Sequence, residues 1–133
     1  MRGWRGAAAM AAALSLLACA KEEGSAEELC TAVASSDVTS VFRGFDPTDP
    51  QGSLEKLRTA RVELGDLHDA APDEVRDDLQ TEIDYVQALI DTLEQVEQGD
   101  ATEAALQIQA VTDAHPGVDD ASANLAVFAE EEC

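Results

Sequence analysis

Residues 72–98, PDEVRDDLQTEIDYVQALIDTLEQVEQ, carry the clearest periodicity in this chain of 133 residues. Val75, Leu79, Ile83, Val86, Ile90, Leu93 and Glu97 step by 4, 4, 3, 4, 3 and 4, with Leu89 and Val96 beside that line. Steps of three and four place side chains on one face of an α-helix, and the alternation expected of a strand is missing. About 27 helical residues would span roughly 40 Å. Pro72 suits a first helical turn and disfavours helix at Ala71, while Asp73 and Glu74 suit the positive end of the helix dipole. Gly99 is the predicted stop. The acids Asp77, Asp78, Glu82, Asp84, Asp91 and Glu94 fall off the apolar line and read as a solvated face.

The same reading extends downstream. Asp100 is placed to cap a helix, and Glu103 completes a capping-box spacing. Ala104, Ala105, Ile108 and Val111 form a weak stripe, His115-Pro116-Gly117 break it, and Ala121, Leu125 and Phe128 form another behind Asp119 or Asp120 as cap. Upstream, Leu54, Leu57, Arg61, Leu64 and His68 are heptad-spaced, with Ala60 and Leu67 broadening the stripe. The stretch DPTDPQGS, 46–53, is the plainest loop. Its Asp46 and Asp49 do not make an EF-hand, because the positions that need glycine and glutamate are Gln51 and Leu57. Ser25, with Glu28 three residues on, opens a first helix that SSD (35–37) interrupts. Val38, Val41, Phe42 and Phe45 then form a stripe that Gly44 ends.

Three cysteines occur, Cys19, Cys30 and Cys133. If Cys19 is set aside, Cys30 and Cys133 form a pair that an oxidising compartment would join. The loop closed would be about 100 residues, worth at most roughly 4.7 kcal/mol in the chain-entropy model. That pair also selects a topology. In an up-down bundle with an even number of passes, the first helix starts where the last one finishes. The sequence therefore predicts an all-α, up-down four-helix bundle with interrupted first and fourth helices, closed by a disulfide. Its passes are 25–45, 53–70, 72–98 and 101–132.

The first residues explain the odd cysteine. Arg2 and Arg5 precede the uncharged run GAAAMAAALSLL, too short for a spanning helix and suited to a signal-peptide core. Leu16-Leu17-Ala18-Cys19 resembles the lipobox of bacterial lipoproteins. That resemblance implies cleavage before Cys19, lipidation of its sulfur, and a site on the extracytoplasmic side of the membrane. The overlapping Ala18-Cys19-Ala20 fits ordinary secretion with cleavage after Ala20, the alternative. The division is 1–18 signal peptide, 19–24 tether and 25–133 bundle.

Without that leader, six basic residues stand against 28 acidic ones, a formal charge of about −22. Such a field repels nucleic acid and anionic headgroups. After Arg76 there is no Lys or Arg. Aromatics are limited to Phe42, Phe45, Tyr85 and Phe128, so the core must be aliphatic and helical. His68 and His115 each have a nearby carboxylate but no second functional group, no Glu-x-x-His pair supports a di-iron site, and no glycine-rich phosphate loop is present. No catalytic residue, metal site or cofactor is expected. The expected function is a non-catalytic, membrane-tethered accessory or interaction module of the envelope. Another envelope protein is its expected partner, met at Arg43, Lys56, Arg58, Arg61 and Arg76. The alternative is a helical lipoprotein that binds a small ligand or cation.

Overall fold

The computed structural model describes residues 24–35, 46, 48–96 and 100–133. Five helices fill them: α1 Ala26–Ser35, α2 Pro50–Ala70, α3 Asp73–Gln95, α4 Ala101–Ala114 and α5 Val118–Glu132. Among the described residues there is no strand. The chain is all-α, as its periodicity requires. The leader 1–18, Cys19 and most of the tether lie outside the described residues, as does the expected second half of the first helix, 38–45. None of the described helices is long and apolar enough to cross a membrane.

Helix α3 sits at the centre, packed against α2, α4 and α5, while α1 packs on α2 and α5. Of its predicted line, Val75, Leu79, Ile83, Val86, Ile90 and Leu93 are buried, and the last member, Glu97, lies outside the described residues. Leu89 and Val96 are buried too, so the apolar face is wider than one stripe. Leu54, Leu57, Leu64 and Leu67 of α2 enter the same core, joined by Leu29, Ala104 and Phe128. Burying a leucine-sized side chain contributes about 1.5–3 kcal/mol, and this cluster supplies most of the fold's driving force.

The helix ends follow local chemistry, with three departures from the sequence reading. Helix α2 starts at Pro50, inside the expected loop, because the Asp49 carboxylate accepts the Gly52 amide at 3.0 Å and proline needs no partner in the first turn. The buried Ser53 hydroxyl donates to the Asp46 carbonyl at 2.9 Å and accepts the Asp46 amide at 3.1 Å, tying the turn to the helix. Helix α3 ends at Gln95, short of Gly99, with Val96 extended. The start of α5 is set by Gly117, and Asp119 and Asp120 fall in its first turn, where the dipole favours them without a capping bond. Two caps are as predicted: Ser25 accepts the Glu28 amide at 3.2 Å and Asp100 accepts the Glu103 amide at 2.9 Å.

Cross-helix bonds give the directions. Tyr85 meets Thr112, Glu82 meets Ser122 and Asn124 meets Asp78. Residue numbers fall along α3 as they rise through α4 and α5, so both run antiparallel to α3, with the break at 115–117. Cys30 and Cys133 lie at disulfide-bonding distance, their Cα atoms 5.6 Å apart and 103 residues apart in sequence.

Two glycines are not equivalent. A Cβ on Gly24 would collide with the Ala70 carbonyl and the Ala71 nitrogen, both backbone. Gly117, at φ −80°, has open space around it. Gly24→Ala should therefore cost about 1–3 kcal/mol in urea unfolding. Gly117→Ala should be neutral or stabilise by up to about 1 kcal/mol, by restricting the unfolded chain. Equal effects at the two positions would contradict the close approach of Gly24 to the end of α2.

Candidate functional site

The expected basic surface is distributed along the α2–α3 hairpin. Arg58 pairs with Glu94 at 2.7 Å, both side chains about half exposed. A pair so solvated contributes under about 1 kcal/mol. Arg76 donates to the Ala71 carbonyl at 2.8 Å and pairs with Asp73 at 3.1 Å. It thereby satisfies a carbonyl left over at the end of α2. Arg61 is half-buried, and its Nε, like that of Arg76, has no hydrogen-bond partner among the described residues. Lys56 is exposed and adds a small pull on Asp46, whose carboxyl is held below its ordinary value mainly by hydrogen bonds from the Thr48 hydroxyl and amide. Twelve helical residues, about 18 Å, separate Arg58 from the end of α2 where Arg76 binds, so these cations do not gather in one cluster. Arg43 lies outside the described residues.

The histidines occupy helix ends. His68 is in the last turn of α2, 3.7 Å from Asp69. His115 sits in the 115–117 break, its Nδ1 2.8 Å from the Val111 carbonyl. Its ring meets Tyr85 edge-on at 5.8 Å, whereas Asp113, the carboxylate nearest it in sequence on that side, accepts from Gln109. Among the described residues no group of three or more His, Cys, Asp or Glu is arranged to hold a metal ion.

The most unusual chemistry is on the face of α3 that meets the broken fourth pass. Tyr85 and the Thr112 hydroxyl are 3.0 Å apart, and Thr112 also donates to the Ile108 carbonyl at 3.0 Å. One turn away, Glu82 is buried, 5% exposed, and accepts the Ser122 hydroxyl of α5. This corrects the solvated-face reading of that residue. Burial pushes its carboxyl above the ordinary glutamate value of 4.5. The Ser122 hydrogen bond offsets part of that push, and the Asp119 and Asp78 carboxylates add smaller pushes upward. The missed signal is a second register: Val75, Glu82, Leu89 and Val96 are seven apart, and the other three are apolar.

On the far side of α4, an open groove of about 520 Å³ is lined by Thr48, Ala101, Thr102, Ala105, Leu106 and Gln109. Leu106 is 68% exposed there. No protein-family model matches the chain, and no curated protein or solved structure matches it either.

Tyr85→Phe should lower stability by about 0.5–1.5 kcal/mol, the net worth of one partly buried hydrogen bond. In a double-mutant cycle with Thr112→Val by urea unfolding, most of that loss should vanish. Strict additivity would mean the two hydroxyls do not interact.

Proposed function

We propose that this chain is a lipid-anchored envelope protein whose folded part is an up-down four-helix bundle, with α4 and α5 as two halves of the fourth pass. Its role is non-catalytic: it presents a helical surface to another envelope component. The observation that carries this reading is the proximity of Cys30 and Cys133. Their pairing suits an oxidising compartment and leaves Cys19, in the lipobox-like LLAC, as the odd cysteine.

The geometry adds an orientation to the proposal. Gly24 abuts Ala70 and Ala71, so the tether joins the domain at the α2–α3 turn. Six tether residues, 19–24, reach at most about 20 Å, which would hold that end near the headgroups. The start of α2 lies about 30 Å away along its axis. Lys56, Arg58 and the groove beside Thr48 belong to that distal half, and we assign partner contact to it.

The groove supports the alternative reading, a small-ligand binder. It is larger than the roughly 300 Å³ at which ligand pockets begin, and Thr48, Thr102 and Gln109 give it polar groups.

Metabolic labelling with a palmitate analogue should mark the wild-type chain and not Cys19→Ala, and non-reducing peptide mapping should recover Cys30 linked to Cys133. An unlabelled wild-type chain, released to the medium, would replace the anchor with plain secretion. Cross-linked capture from membranes should fall at least about fivefold in the Lys56→Glu/Arg58→Glu double variant, as for exposed charges at a rim, while losing the Arg58–Glu94 pair lowers the melting temperature by only a few degrees and leaves the chain folded at the assay temperature. If capture is unchanged and native mass spectrometry finds a small molecule bound to wild type but not to Leu106→Glu, the ligand reading takes its place.

A further inference from the structure

Helix α5, like α4, buries few apolar side chains: Val118, Ala121 and Phe128 of its 15 residues, against Ala104 of the 14 in α4 and eight of the 23 in α3. What sets α5 apart is that it covers a buried acid, Glu82. Between α5 and α3 lies a polar seam made of Glu82, Ser122, Asp78, Asn124 and Asp119. Three of those five are acids. No Lys or Arg occurs in α4 or α5.

The surroundings of Glu82 are specific. From α5, Ser122 donates to it and Asp119 opposes its charge, and from α3 itself Asp78 opposes it as well. From the α4–α5 break, His115 packs on Tyr85, in the next turn of α3. No charge on α2 is among the influences on Glu82, and the cross-pair of α2 with α3, Arg58–Glu94, lies about three turns along α3. Among the described residues no cation faces Glu82, and a buried carboxylate facing two like charges is costly when ionised and far less so when protonated. The Ser122 hydroxyl can donate to either form; its bond favours the ionised one, but burial and the two neighbouring carboxylates outweigh it.

We propose that α5 is an acid-set clasp: its seam with α3 closes when Glu82 holds a proton and loosens when it gives the proton up, and the Cys30–Cys133 link retains α5 in the loosened state. The sign follows from linkage. Glu82 in the docked helix keeps its proton to higher pH than it would with α5 undocked, so docking takes up a proton. Docking is therefore strongest at and below the ordinary glutamate value of 4.5 and weakens as pH rises above it. The disulfide acts at the other end of the helix, beyond Glu132, and is indifferent to this titration. Two latches with different triggers, proton and thiol reagent, thus hold one helix.

Amide exchange of the full chain tests this. Exchange in 118–132 would be followed by mass spectrometry at pH 5.0 and 7.5, corrected for intrinsic rates, with and without tris(carboxyethyl)phosphine to reduce the disulfide. In the reduced wild-type chain, protection of α5 should fall on the order of tenfold more than that of α2 between the two pH values. The oxidised chain should show a smaller loss. Glu82→Gln, uncharged and close in shape, should lose the α5-specific difference and be better protected at pH 7.5. Asp119→Asn, an exposed change, should reduce the difference without removing it, and it serves if the Gln variant does not fold. If α5 and α2 lose protection together, repulsion across the whole acidic chain is the cause and the clasp is wrong. The same holds if Glu82→Gln, or Asp119→Asn in its place, keeps the full wild-type difference.

Discussion

Everything in this fold depends on burying the wide apolar face of α3. Its two adjoining heptad lines need covers on more than one side, and α2, α4 and α5 provide them. One helix thereby becomes an axis, and the others are ordered by it. Core positions such as Val86 and Leu93, at most 1% exposed, have no route to solvent short of separating helices. The caps, the hairpin turn at Ala71-Pro72 and the break at 115–117 then decide where each cover begins and ends.

This dependence explains why a chain with formal charge −20 stays compact. Its acids are spread over outer helix faces, where water screens them and many bond along their own helix, as Gln80 does with Asp84 and Gln87 with Asp91. Among the described residues the exception is Glu82. It stands on the line of Val75, Leu89 and Val96 and is covered by α5. There it accepts the Ser122 hydroxyl of α5, a cross-helix bond that belongs to this register of the two helices.

Much of the helical layout was legible one helix at a time. The α3 face, the caps at Ser25 and Asp100, and the break at His115-Pro116-Gly117 all follow from spacing and local backbone chemistry. The pairing of Cys30 with Cys133 was legible only by elimination among three cysteines. The start of α2 was obscured because proline and glycine in DPTDPQGS favour turns and also tolerate a first helical turn. The buried seam was less legible still. Glu82 looks like any surface acid until its heptad partners are compared, and nothing local to Ser122 or Thr112 announces a bond to a helix 27 to 40 residues away.

By itself the sequence determined an all-helical chain, its main apolar stripe, its strong acidity and the cysteines available to close it. These are properties of local spacing and composition, which act within a turn or two of helix. Tertiary structure alone decided which face of α3 each neighbour covers, that Glu82 lies inside, that Gly24 abuts the end of α2, and that Lys56, Arg58, Arg61 and Arg76 stretch along a hairpin instead of forming a patch. Those outcomes depend on which surfaces meet, and meeting is settled by the packing of the whole core.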